Sequence, residues 1–244
     1  MLSAPEAPPL EIYLLGLVDF EDVQCLQRRL VYDLGERGGA ALVLCEHPPT
    51  ISVGRSGSRA HIAVDDDGLR ALGIKVHWVN RGGGCVLHVP GQLSAYLALP
   101  LAPLRLDVRG YLDGLHAALF RVLDEFELQG ATRPDHGGVF LGNARVASIG
   151  VAVNRWIAYH GLTLNVGAFL EPFDLIAEPG IGPLPLRQTS IEARRQRPAP
   201  MAKVRESLIR GIETAFGLAR HHLYTHHPLI RSKVRPHVYA QSPG

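Results

Sequence analysis

The sequence predicts an α+β fold, with a mixed or antiparallel sheet flanked by helices. Two observations carry that prediction. Residues 138–166 form three strand-like runs joined by the turn pairs Gly142-Asn143 and Asn154-Arg155, the pattern of consecutive hairpins. Three longer stretches repeat apolar residues at helical spacing, and they do not alternate with the strands as a doubly wound parallel sheet requires.

The elements follow in order. After a Pro-rich start, 11–18 reads as a short strand. Asp19 is placed as a helix N-cap, with Glu21 and Asp22 in the first turn and Val23, Leu26, Leu30 and Leu34 on one face. Gly35, Gly38 and Gly39 end that helix. The apolar run 40–45 is a strand, broken by Glu46-His47-Pro48-Pro49 before a second strand at 50–53. A short helix at 65–72 leads to strands at 75–79, 85–89 and 93–101. A long helix from about 108 to 128 presents Leu112, Leu115, Leu119, Val122 and Phe126 to the sheet. After the hairpins comes a Gly/Pro loop at 179–185, then a last amphipathic helix at 201–216. Residues 1–220 read as one domain and 221–244 as a polar, His-rich tail, whose His222 and His226 are more simply solvated than metal-binding.

Composition narrows the function classes. With 244 residues, 46% of them hydrophobic, the chain can bury a substantial core, and a net charge of +2 without a basic stripe gives no case for nucleic acid or an anionic membrane. Cys25, Cys45 and Cys85 are odd in number and contain no Cys-x-x-Cys pair, so neither a disulfide framework nor a zinc site is indicated. No metal or cofactor is expected. The first nine residues lack the basic and apolar regions of a secretory signal, and no run reaches membrane-spanning length, so a cytoplasmic location is expected.

The stretch from Arg81 to Gln92 organises the rest. Gly82, Gly83 and Gly84 leave backbone that another group can approach closely, and Cys85, Val86, Leu87 and Val89 read as a buried strand with His88 inserted among them. Taken alone, this is equally a turn between strands with a hydrogen-bonded core histidine. A phosphate loop is disfavoured, because neither glycine fingerprint is present.

Taken together, Glu46-His47-Pro48-Pro49, Arg81-Gly82-Gly83 with His88 and Pro90-Gly91-Gln92, Ala147 to Gly150, and His160-Gly161-Leu162 with Leu164-Asn165-Val166 resemble the lipoyl(octanoyl) transferase family, from about residue 40 to 191. The resemblance implies the fold shared by biotin and lipoate protein ligases. It also implies transfer of an octanoyl group from acyl carrier protein to a lysine of a lipoyl domain, as in 2-oxoacid dehydrogenases or the glycine cleavage H protein. It places an acyl pocket on Arg81, Gly82, Gly83, Gly84, Cys85, Val86, Leu87 and His88, on Ser148, Ile149 and Gly150, and on His160, Gly161 and Leu162. Glycines would admit the chain beside the backbone, and apolar neighbours would bury its methylenes at about 0.8 kcal/mol each.

Two positions depart from the family pattern. Its acyl-accepting cysteine falls on Pro179 and its lysine on Arg145. Proline carries no nucleophile, and an arginine can bind or orient an anion without acting as a base. Three readings follow: transfer through another residue or by direct attack of the acceptor amine; a silent member that binds acyl carrier or lipoyl domain; or an ATP-dependent ligase-like enzyme. Cys85 is the candidate replacement nucleophile, against a packing role for its thiol.

Overall fold

The computed structural model describes residues 8–134, 136–167, 169–177, 186–218 and 221–230. The chain begins with β1 (Leu10–Leu17) and α1 (Phe20–Arg37), capped by Asp19, whose carboxylate accepts from the Glu21 amide. It continues through β2 (Ala40–Glu46), β3 (Thr50–Val53), α2 (Asp66–Ala71), β4 (Lys75–Trp78), β5 (Cys85–His88) and β6 (Gln92–Pro100). Next come α3 (Val108–Glu125), β7 (Ala131–Arg133), β8 (His136–Leu141), β9 (Ala144–Asn154) and β10 (Ile157–Asn165). The described chain closes with β11 (Arg187–Gln188), α4 (Ile191–Arg195), α5 (Met201–Phe216) and β12 (His221–Tyr224).

Two sheets result. The main one runs β12-β1-β2-β6-β10-β9-β8-β7, with β11 on β9; the small one runs β4-β3-β5. β12, β1 and β2 are parallel, and the run from β2 to β7 is antiparallel, so the main sheet is mixed. The apolar faces dictate the layers. Leu115, Leu119 and Val122 of α3 and Val204, Leu208 and Ile212 of α5 bury against one face, while Val23, Leu26 and Leu30 of α1 cover the other. A third cluster, including Ile51, Val53, Cys85 and Leu87, is the small sheet's own core.

The hairpin strands stand where the sequence places them, but the second turn is Arg155-Trp156, both at positive φ (+49° and +62°), and Asn154, read as a turn residue, pairs with Ile157 as the end of β9. Two further local readings change. α1 continues through Gly35 to Arg37 and ends at Gly38, where φ is +72°, because a glycine inside a packed helix costs only about 1 kcal/mol. Residues 221–224, read as polar tail, pair with β1 as an edge strand, and Tyr224 stacks on Tyr13 with ring centroids 5.0 Å apart. Their polar, uncharged-aromatic pattern suits an edge with one wet face.

Candidate functional site

The gap between the two sheets is the site. On the small sheet, the two-residue period of β5 sends Cys85 and Leu87 into that sheet's core and turns Val86 and His88 toward the main sheet. Ser52 of β3, paired with Val86, shares their side. Facing them are Ser148 and Gly150 of β9, Gly161 and Thr163 of β10 and Tyr96 of β6, with Phe20 from the start of α1. These walls enclose ≈ 350 Å³ of empty space, counting the open mouth.

Glycine is obligatory at two wall positions. A Cβ on Gly150 would lie 2.7 Å from the Gly82 carbonyl oxygen, and one on Gly161 would lie 2.2 Å from that of Ala95. The first lets the glycine loop lie on β9, where Gly82 N–H donates to Val151 O at 2.8 Å. Amides of Gly54 and Ser56 then bind the carbonyls of Gly84 and Gly83.

The polar wall groups are matched to one another. Arg81, 8% exposed, donates to both the carbonyl and the hydroxyl of Ser52 at 2.8 Å. With that lone pair occupied, the Ser52 hydroxyl donates to His88 Nε2 at 2.9 Å. His47 Nδ1 lies 2.8 Å from the Val18 carbonyl, so it carries the proton, and Nε2 accepts from Tyr96 Oη at 2.8 Å. Burial drives the pKa of His47 down to about 4, and that of His160 down to about 3 with the Arg81 charge adding. Burial, with His47 and Arg81 close by, takes His88 well below the usual imidazole value. These imidazoles are therefore neutral at pH 7, and burial keeps the Tyr96 phenol protonated. A pocket rich in polar side chains thus presents few unmatched polar atoms to a ligand.

Backbone irregularities aim two further side chains. His160 has φ +63°, so its ring stacks on that of its neighbour Tyr159 at 4.8 Å instead of pointing to the opposite face. Between β8 and β9 the register shifts, Val139 facing Ala147 and Phe140 facing Arg145. This bulge puts both Val146 and Ala147 into the helix-side core and turns Arg145 to the face that carries Ser148 and Gly150. Gln188, with its amide oxygen toward the guanidinium, accepts from Arg145 Nε and Nη2 at 3.2 and 3.0 Å. Arg145 looks into a second, wider space of ≈ 910 Å³, continuous with the first through Arg81, Val86 and Ser148 and lined also by Ser56, His61, His136, Gly83 and Gly84.

The structure therefore brings together Arg81, the three glycines, Val86, His88, Ser148, Gly150, His160 and Gly161. Ile149 and Leu162 belong to the helix-side core and meet only the cavity edges. Cys85 is fully buried, with Sγ 3.7 Å from the Ser58 carbonyl, and Leu87 packs beside it. Strand parity sends both into the small sheet's core, where they line a smaller space of ≈ 250 Å³ that Val86, Arg145, Ser148 and Gln188 also line, whereas the sequence reading puts the whole loop in one pocket. Pro179 lies outside the described residues. Of the other motif residues, Glu46 is a clamp, accepting from the Gly91 amide at 2.9 Å and from Arg205 of α5 at 3.0 Å. Gln92 and Asn165 bond each other at 2.9 Å, holding the strand ends together.

Sequence reasoning did not single out Phe20, Ser52, Tyr96 or Thr163 as wall residues. A serine alternating with apolar residues in the run 50–53 is the one available signal.

The comparisons bear on family and fold. A family model described as the lipoyl protein ligase A/B catalytic domain matches residues 19–213. An octanoyltransferase of Roseiflexus sp. (strain RS-1) is 37% identical over 213 residues, covering 86% of this chain and 88% of the relative. An octanoyltransferase of Myxococcus xanthus is 35% identical over 219 residues, 86% of this chain, which spans 60% of that relative's length. In fold, the chain is similar to Ta0514, a putative lipoate protein ligase from T. acidophilum with bound lipoic acid, at TM-score 0.70 and 16% identity over 90% of each chain.

Proposed function

The chain belongs to the lipoyl protein ligase A/B catalytic-domain family, and we propose that it transfers an octanoyl or lipoyl group to a lysine of lipoyl domains, a step of protein lipoylation. The donor in this reading is octanoyl-acyl carrier protein. The acceptors are lipoyl domains of 2-oxoacid dehydrogenases or the glycine cleavage H protein, and the reaction takes place in the cytoplasm. The observation that carries it is the cleft between the sheets, whose polar groups bond one another and whose open end holds a cation.

The acyl chain lies between β5 and the β9–β10 pair, with its thioester carbonyl toward Arg145. With the Cys85 thiol fully buried in the small sheet's core, we assign direct transfer. The lysine amine attacks the carbonyl carbon, forming the C–N bond as the carbonyl electron pair moves onto oxygen. Collapse of this tetrahedral species breaks the C–S bond, and the departing thiolate takes the surplus proton of the nitrogen. Arg145 stabilises the oxyanion electrostatically, a contribution that for one such donor is about 3–4 kcal/mol. Holding amine and thioester together supplies the remainder through proximity.

A second reading follows from the same cation. Arginine in place of lysine, with a roomy polar space beside it, also suits a silent carrier-binding member or a ligase-like enzyme that activates the free acid with ATP. Intact-mass measurement of an apo lipoyl domain separates them. An octanoyl increment with octanoyl-acyl carrier protein supports transfer; an increment only with octanoate and ATP replaces it with the ligase reading; no increment in either leaves binding alone.

A further inference from the structure

The far end of the acyl cleft is a wall one side chain thick. Along β9, Ser148 pairs with Thr163 and Val151 with His160. The stretch from Ser148 to that second pair spans about 10 Å at roughly 3.3 Å per residue, near the reach of an extended octanoyl chain. There the His160 ring meets the cleft. Its position is over-determined: the backbone N–H donates to Gln27 Oε1 at 3.1 Å, Nε2 bonds Asn80 Oδ1 at 3.0 Å, and the ring stacks on Tyr159, which itself accepts from Asn80 Nδ2 at 2.5 Å. Since Asn80 Nδ2 is committed to Tyr159, its oxygen faces His160, and Nε2 is the protonated nitrogen.

Behind this wall the molecule is open. Gln27, Asn80 and Tyr159 also line a separate groove of ≈ 870 Å³ between α1 and β4. A chain end there is stopped by a held ring and not by solid core, and a residue kept at positive φ by two hydrogen bonds is strained backbone with a task.

We propose that His160, braced by Gln27 and Asn80, is the stop that sets the acyl chain length this protein accepts. The inference rests on the acyl-cleft reading above. An octanoyl chain ends against the ring, and longer chains must displace it and break its bond to Asn80.

Titration calorimetry of the full chain with octanoate, decanoate and dodecanoate tests this. The wild type binds octanoate at least tenfold more tightly than dodecanoate. His160→Gly removes the ring and tolerates the positive φ. In this variant the preference reverses, with affinity gained at up to about fourfold per methylene newly buried. Asn80→Ala, at an exposed position, releases the brace without touching the core and shifts the preference the same way, by less. A wild type that binds dodecanoate as tightly as octanoate, or an unchanged chain-length profile in both variants while octanoate still binds, overturns the proposal. Failure of the wild type to bind any of the three acids instead overturns the acyl-cleft reading, and the stop with it.

Discussion

At the acyl end of the cleft the wall groups are spent on one another: Arg81 on Ser52, Ser52 on His88, His47 on Tyr96 and His160 on Asn80. At the reacting end the wall opens into a polar space of ≈ 910 Å³, where Arg145 is turned in by a strand bulge and held by Gln188, with Arg81 on the wall shared with the first space. The first end is rigid, its histidines neutral and the Arg81 charge tied to Ser52, suited to measuring an apolar chain. The second is charged and roomy, suited to two macromolecular substrates meeting. On the proposed function, recognition of the acyl group is built separately from the chemistry performed on it, and each can be perturbed alone.

The sharpest break in that separation is Arg145→Ala. Transfer should fall by about 100- to 1000-fold, the usual effect of removing one oxyanion donor, while affinity for octanamide, whose uncharged head forms no ion pair with the guanidinium, stays within about twofold. Single-turnover rates and calorimetry check the pair; a matching loss of octanamide affinity would merge the two ends. Gly161→Ala attacks the other end, since its Cβ would lie 2.2 Å from the Ala95 carbonyl at φ +154°. Urea unfolding should show a loss of about 2–3 kcal/mol, and octanoate binding should weaken with it.

The neutral histidines sharpen the comparison through pH. An unfolded chain takes up protons on histidine below about pH 6.5, whereas His47 and His160 refuse them in the fold until about 4 and 3. Stability is therefore flat above pH 6.5 and falls as pH drops toward 4, by about 1–2 kcal/mol per histidine at pH 5. Urea midpoints of wild type and His47→Gln at pH 7 and pH 5 measure this, with the variant losing less on acidification. The smallest effect is expected at Cys85→Ala: about 1 kcal/mol of stability and a transfer rate within about twofold. A hundredfold loss of transfer there would return the nucleophile to the cleft.

Much of this was legible in the residues. Periodicity located the long helices and the hairpins, because their apolar faces cover a continuous core, and the glycine loop with His88 and the segment from His160 marked two walls. The division into two sheets was not, since local pattern in β3, β4 and β5 is the same whether they join the main sheet or stand apart. Parity was legible in principle for β5, where alternation alone separates Cys85 and Leu87 from Val86 and His88. The orientations of Arg145 and His160 were not, because a register shift and a positive φ each reverse what alternation predicts. Phe20 and Tyr96 carry no motif; they reach the cleft through the packing of α1 and β6.

The central claim is direct transfer from thioester to lysine within this cleft. Rapid mixing of the protein with octanoyl-acyl carrier protein and an apo lipoyl domain, quenched through the first turnover and read by intact mass of all three chains, tests it most directly. The account predicts an octanoyl increment that grows on the lipoyl domain while this chain keeps its unmodified mass at every time point. An octanoylated form of this chain that rises first and decays as the lipoyl domain gains its increment would contradict it.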